Sequence, residues 1–305
     1  MKVVYGHTDS IYVKMPFDQA EQTRERLNNH VRKLFPNLLG LEEHPVELEF
    51  EKYFESLGVG VTKNRNAGLI SWKDGKWLDN PEFTMTGFMA KRMSITQLAK
   101  TIQSEVLMMW VNQASEKEVT AHLRTQYNRV LQGTVHFKNL LIRSRYRETR
   151  FIYKCDFCDK QYNAKQAVDI RKQFTSNVHC TKCGNDLLLK TLEGKNPSVG
   201  AGVEGVMWYN QNNENQIDDS YVCIKVVDDP VRASYINPVT GIVKKPSYVS
   251  ASTTKELESI VGNNIDYVHY AQSILKKAQP IYDAMGWDLV PISRDINQRT
   301  LNEWW

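Results

Sequence analysis

The chain has 305 residues, 41% of them hydrophobic and 24% charged, with a formal net charge of +4. That composition excludes a disordered polypeptide, and the length accommodates roughly two to three domains or one domain with insertions. No apolar run is long enough to span a bilayer and no signal-peptide pattern opens the chain. Its five cysteines fit metal ligation in a cytoplasmic protein better than disulfides.

Val3-Val4-Tyr5 is a β-rich run, Gly6, Thr8, Asp9 and Ser10 supply turn chemistry, and Ile11-Tyr12-Val13 alternates again. This is a hairpin with an acidic tip. A carboxylate held there on rigid strands suits a hard metal ion that bridges phosphates; the same residues elsewhere serve only as turn formers. Met1 lies a few residues before this hairpin. A domain does not normally begin inside its central sheet, so the neighbouring strands are expected from a second polypeptide or from a longer parent chain.

Residues 17–35 are expected to be helical, with Ala20, Leu27, Val31 and Leu34 on one side and Pro36 as the stop. Residues 45–61 alternate as a long strand that sets Glu47, Glu49 and Glu51 on one face. Gly68–Trp72 continues the strands, and Lys73-Asp74-Gly75-Lys76 is a hairpin turn. Helices are expected from Ile95 to about Gln113, from Glu116 to Leu131, and over 266–285 up to Gly286. Residues 197–226 read as strand-like, ending in Tyr221–Val226.

Between these, Cys155-x-x-Cys158 and Cys180-x-x-Cys183-Gly184 form two knuckles. The spacing points to a zinc ribbon with four thiolate ligands, hence a structural Zn²⁺; redox pairs are the rival reading, and His179 is an alternative ligand. Cys223 lies in an apolar strand as a buried free thiol. Lys138, Arg143, Arg145, Arg147 and Arg150 alternate with Phe137, Tyr146 and Phe151. Such a stretch is either a nucleic-acid contact or a solvated face.

The segment Tyr5-Gly6-His7-Thr8-Asp9-Ser10 closely resembles the Tyr-Gly-Asp-Thr-Asp-Ser motif of family B DNA polymerases, with Asp9 matching the second Asp and His7 standing where the first belongs. Val46–Phe54 is similar to the family's acidic palm strand, and Val61–Gly68 to its Lys-Lys-Arg-Tyr region. Gly87–Arg92 resembles the start of the thumb, and Asp266–Gly286 its last helix. The pieces share the family's order. The resemblance implies an α+β chain: a partial palm with an antiparallel sheet (1–85), a mostly helical thumb (86–152 and 192–289) interrupted by a zinc-ribbon insert (153–191), and a tail (290–305).

It further implies that Asp9 holds catalytic Mg²⁺ together with an Asp on a partner chain, with His7, Glu49 and Glu51 beside it. Imidazole is a poor ligand for Mg²⁺, so an inactive site is the competing expectation. Lys63, Asn64, Arg65, Asn66, Lys91, Arg92, Arg143 and Arg145 become candidate contacts to primer-template DNA. Asn64 and Asn66 replace the family's Lys and Tyr, which removes charge and aromatic packing. Gln298, Leu301, Trp304 and Trp305 resemble the motif by which replication proteins grip the sliding clamp; the alternative is that the Trp pair folds back onto the thumb. The implied function is the C-terminal subunit of a split, archaeal-type DNA polymerase that uses dNTP and works in a cytoplasmic replisome with a large polymerase subunit. The alternative is a non-catalytic DNA-binding and clamp-tethering subunit.

Overall fold

The computed structural model describes residues 2–6, 10–62, 64–88, 95–146, 151–163, 166, 179–185, 188–191, 201–236, 243–289 and 292. They form two compact units, one drawn from residues 1–88, 104–122 and 278–294 and the other from 89–103 and 123–277. Every strand pairing described is antiparallel, so the expected mixture of helices and antiparallel sheets holds.

The first unit starts with the hairpin of β1 (Lys2–Gly6) and β2 (Ile11–Lys14). A 3₁₀ turn at Phe17–Gln19 leads into α1 (Ala20–Leu34). A three-stranded meander follows: β3 (Lys52–Val59), β4 (Asn66–Lys73) and β5 (Lys76–Thr86), with β4 in the middle. Central position explains why Ala67, Leu69 and Ile70 are buried. The β4–β5 turn is the expected one: Asp74 (φ 52°) and Gly75 (φ 80°) both take positive φ, as a two-residue hairpin requires. Phe17 plugs an aromatic cluster on this sheet, with ring centroids 5.2 Å from Tyr53, 5.8 Å from Trp72 and 4.4 Å from Trp77. Each such pair contributes about 0.5–1.5 kcal/mol beyond burial. The cluster therefore ties the start of α1 to the sheet.

Two long helices carry the apolar stripes that the sequence announces. In α2 (Gln97–Val111) Leu98, Ile102 and Val106 are buried one turn apart, and in α3 (Glu116–Leu131) Val119 and Leu123 are buried one turn apart with Val130 two turns further on.

In the second unit, β6 (Ile142–Arg145), β10 (Ser220–Lys225) and β13 (Tyr248–Ala251) make one sheet in the order β13-β10-β6. A separate sheet joins β7 (Phe151–Lys154), β8 (Gln161–Asn163) and β9 (Leu188–Thr191), with β7 central. Helix α4 (Ala201–Asn212) lies on β13, and β11 (Tyr235–Ile236) pairs with β12 (Val243–Lys244). Helix α5 (Thr254–Val261) is capped by the Thr253 hydroxyl, which accepts from the Glu256 N–H at 3.2 Å. Helix α6 (Tyr267–Met285) ends at Gly286, φ 71°.

Two expectations change. Residues 201–212 are helical rather than strand-like. Their burial is nearly all-round over Glu204–Tyr209, so the helical period is hidden, and two glycines mimic a strand boundary. Gly202 and Gly205 are there for contact: a Cβ on Gly205 would lie 2.9 Å from the Ser250 backbone N. The long strand also begins at Lys52, not at 45. Residues 46–51 keep the alternation, with Glu47, Glu49 and Glu51 exposed and Leu48 and Phe50 half-buried, but among the described residues they pair with no strand. Their anchor is Asn28 of α1, whose side chain accepts from the Leu48 N–H (2.7 Å) and donates to the Leu48 carbonyl (2.9 Å).

Candidate nucleic-acid interface and metal centre

At the base of the N-terminal hairpin, Gly6 pairs with Ile11. His7 and Asp9, on the tip between them, lie outside the described residues. Below the tip the register shifts: Val3 faces Val13 but Tyr5 faces Tyr12, so Val4 is the extra residue of a bulge. Bulges re-aim the side chains that follow them. Here the Tyr5 hydroxyl reaches the β3–β4 connection, where it donates to Asn64 Oδ1 (3.0 Å) and accepts from the Asn64 N–H (3.1 Å).

That connection is compact. The Gly60 N–H donates to the Arg65 carbonyl at 2.8 Å, Val59 pairs with Asn66, and Asn64 has φ 62°, a region Asn tolerates better than most residues. Gly87 (φ 73°) packs on it so closely that a Cβ would lie 1.7 Å from the Asn64 carbonyl oxygen. Of the proposed DNA contacts in this loop, Asn64 is exposed but committed to Tyr5 through Oδ1, and Arg65 is half-buried. Asn66 is 6% exposed within β4, so its side chain is part of the sheet rather than of the surface. Lys63 lies outside the described residues, as do Lys91 and Arg92.

Among the acidic candidates, Glu47 sits 3.6 Å from both Arg24 and Arg32, and Glu51 is hydrogen-bonded to Lys52, whose ammonium it holds above the usual pKa. Glu49 is exposed.

In the second unit Arg143 and Arg145 are both exposed, two residues apart on β6, an edge strand. They therefore share a face. Arg143 donates to the Thr254 hydroxyl at 3.2 Å. Lys138 is exposed nearby in sequence, but Tyr146 is 5% exposed. The expected interleaving with aromatics is thus partly internal: Tyr146 belongs to the core. Arg147 and Arg150 fall outside the described residues.

The four ribbon cysteines are brought together. The Sγ atoms of Cys155, Cys158, Cys180 and Cys183 all lie within 4.8 Å of one another, and no other group of three or more His, Cys, Asp or Glu among the described residues is so placed. A tetrahedral Zn–S bond of about 2.3 Å implies sulfur separations of about 3.8 Å, so the donor set fits zinc. The two knuckles are built alike. The Cys155 N–H donates to the Lys160 carbonyl (3.0 Å) and the Cys180 N–H to Asn185 (2.6 Å); the Asp159 and Gly184 N–H groups return to Cys155 and Cys180 (2.9 and 2.8 Å).

N–H and O–H donors converge on two of the sulfurs, Cys180 and Cys183, whereas Cys158, despite the Lys160 N–H, is pushed up to about 12 by burial and the neighbouring cysteines. Burial raises the Cys180 thiol, but the Tyr162 hydroxyl at 3.3 Å and the Lys182 N–H at 3.4 Å outweigh it and bring the pKa down to about 6. The Asn185 backbone and side-chain amides lower Cys183. Donors of this kind stabilise thiolate, the form that binds metal. Cys223 is buried apart from them, and burial pushes its thiol up to about 12.

Gln298, Leu301, Trp304 and Trp305 lie outside the described residues. Sequence reasoning missed Tyr5 and Asn28, whose polar contacts span 59 and 20 positions; no spacing signal encodes such pairs.

A family model described as DNA polymerase family B matches residues 1–171, more than half the chain. The chain therefore belongs to DNA polymerase family B. It is 28% identical over 141 residues to a DNA polymerase of Archaeoglobus fulgidus, covering 46% of this chain and 16% of that protein. It is 25% identical over 264 residues to the DNA polymerase delta catalytic subunit of Candida albicans, covering 84% of this chain and 23% of that protein. The chain thus spans about a quarter or less of the length of these relatives. Among the described residues no helix is long and apolar enough to cross a membrane.

Proposed function

We propose that this chain supplies the C-terminal part of a family B DNA polymerase: a partial palm with the carboxylate of Asp9, and a thumb that holds primer-template DNA. The single observation that carries this reading is the family match over residues 1–171, which includes the β1–β2 hairpin. Asp9 on the hairpin tip would hold Mg²⁺ jointly with a carboxylate on a partner chain, with Glu49 and Glu51 as accessory acidic groups. When bound, Mg²⁺ activates the primer 3′ hydroxyl and neutralises the dNTP triphosphate. This chain's own residues orient and grip. Lys63 and Arg65, which fall within the Gly60–Asn66 stretch, are read as contacts to the phosphate backbone, with Arg143 and Arg145 as two more cations from one strand face.

The zinc ribbon, residues 153–191, is read as a structural insert. The tail from Gln298 to Trp305 is read as the contact to a sliding clamp, and a large subunit with exonuclease, fingers and the remaining palm as the partner within a cytoplasmic replisome.

A second reading, a non-catalytic DNA-binding and clamp-tethering subunit, draws on His7 in place of a carboxylate and on Asn66, buried where the family has an aromatic contact. Primer extension decides between them. The chain alone is expected to be inactive, activity is expected with the partner chain added, and Asp9→Ala is expected to abolish it. Full activity of Asp9→Ala in the assembled enzyme favours the second reading.

A further inference from the structure

We infer that Tyr5 is a positioning residue, whose hydroxyl locks the β3–β4 connection onto the hairpin that carries Asp9 and thereby sets where Arg65 meets the DNA backbone. This rests on the polymerase reading above and deepens it.

Three observations converge. First, Tyr5 is placed by the Val4 bulge rather than by regular alternation, and its ring is buttressed from behind: its centroid is 5.4 Å from Tyr12, which is 5.9 Å from Phe54. The hydroxyl is therefore carried on a row of three tilted, touching rings, one each from β1, β2 and β3. Second, its two hydrogen bonds reach the backbone and the side chain of the same residue, Asn64. Two bonds to one residue fix orientation as well as distance. Third, Asn64 has positive φ, 62°, and its carbonyl is backed by Gly87 with no space for a side chain. Asn64 is thus clamped from both sides, and the next residue, Arg65, closes the loop through its carbonyl to Gly60. An exposed loop free to change conformation would lose affinity through ordering on binding; a clamped one does not. Because Tyr5 lies four positions before Asp9 on the same hairpin, the clamp ties the grip on DNA to the strand pair that bears the metal carboxylate.

The test uses the full-length chain, a fluorescent primer-template duplex and hydrogen exchange. Tyr5→Phe keeps the ring contacts and deletes only the hydroxyl. It is expected to weaken duplex binding roughly three- to tenfold, the scale of one or two hydrogen bonds. It is also expected to speed exchange of the amides in 60–66 while leaving β10 and β13 unchanged. The slope of log affinity against log salt is expected to fall by about one, as a phosphate contact is lost. Asn64→Gly keeps positive φ and removes Oδ1, so the double variant is expected to bind no more weakly than the weaker single variant. Unchanged affinity in Tyr5→Phe, or additive losses in the double variant, overturns the proposal while the polymerase reading stands. Failure of the wild type to bind the duplex at low salt removes the polymerase reading, and the proposal with it.

Discussion

Asp159 and Gly184 occupy the same position in the two cysteine knuckles, four residues after the leading cysteine, and both have positive φ, 55° and 78°. Each donates its N–H to the carbonyl of that cysteine, so the turn that aims the sulfurs demands a left-handed residue at this point. Glycine meets the demand without strain, whereas Asp does so at a cost that its ion pair with Lys154 (2.6 Å) offsets only slightly, since both side chains are exposed. Asp159→Gly is therefore expected to change zinc retention little, within about 0.5 kcal/mol. Gly184→Val places a β-branched residue at positive φ and is expected to cost on the order of 1–3 kcal/mol. Competition with a chelator, following metal release from each variant, reads the difference.

One zinc per chain with four sulfur ligands is the expected metal content, measured by elemental analysis and X-ray absorption. Metal in such sites contributes on the order of 10 kcal/mol to local folding. Cys155→Ser with Cys180→Ser is expected to abolish binding and to expose the β7–β9 sheet to protease. The core around β10, β13 and α4 is expected to survive, because Val206, Ile224, Val249 and Leu257 are buried there independently of the ribbon. Loss of the whole fold on metal removal contradicts a local role.

Gly205→Ala sets two effects against each other. Alanine in place of glycine gains about 1 kcal/mol of helix propensity. The added Cβ, however, would sit 2.4 Å from Ser250 Oγ, 2.9 Å from its backbone N and 3.0 Å from the Tyr248 carbonyl oxygen. Two of those atoms are backbone, held in register by β10, and cannot swing aside. Overpacking costs typically 1–3 kcal/mol, so net destabilisation of about 1 kcal/mol is expected. Urea unfolding measures it; a stabilised variant shows that α4 lifts freely from the sheet.

These cases show what a linear reading captures. The hairpin turn at Asp74-Gly75, the stripes of α2 and α3, and the paired cysteines are local signals, carried by adjacent or nearby residues, and each is visible in the sequence. Helix α4 is not, because burial on nearly every side of Glu204–Tyr209 erases its period. The stretch from Val46 to Glu51 shows true alternation without a strand, since alternation reports which side faces the interior and says nothing about what bonds the backbone. Asn28 does the bonding, from 20 positions away. Of the candidate site, the grouping of the four cysteines is legible as spacing, whereas motif position says nothing of the burial of Asn66 inside the central strand of its sheet.

His269 supplies a pH signature. Burial lowers its pKa below the ordinary 6.5, against the attraction of Asp266, while Lys225 and Lys276 push the same way as burial. The Tyr248 hydroxyl lies 3.1 Å from Nε2. The unfolded chain therefore takes up a proton before the folded one does. The stability from neutral His269 is present above pH 6.5 and is lost as pH falls through the depressed folded value. Urea midpoints are expected to drop between pH 7.5 and 5.5, and to drop less in His269→Gln, which keeps a partner for Tyr248 but cannot titrate. An equal drop in both proteins assigns the acid sensitivity elsewhere.

The tail is tested through function, under the clamp reading. Leu301, Trp304 and Trp305 stand at the spacing that gathers one apolar plug on a single 3₁₀-like turn, with Gln298 as the polar anchor. Buried aromatic anchors contribute about 2 kcal/mol or more each to such contacts, so losing both tryptophans is expected to weaken clamp binding by roughly a thousandfold. Deleting Gln298–Trp305, or combining Trp304→Ala with Trp305→Ala, is expected to leave short, distributive synthesis by the assembled enzyme intact and to remove its stimulation by the clamp. Zinc content and melting temperature serve as controls, because neither depends on a tail that plugs a partner. A lowered melting temperature with stimulation unchanged means instead that the tryptophan pair packs onto its own chain.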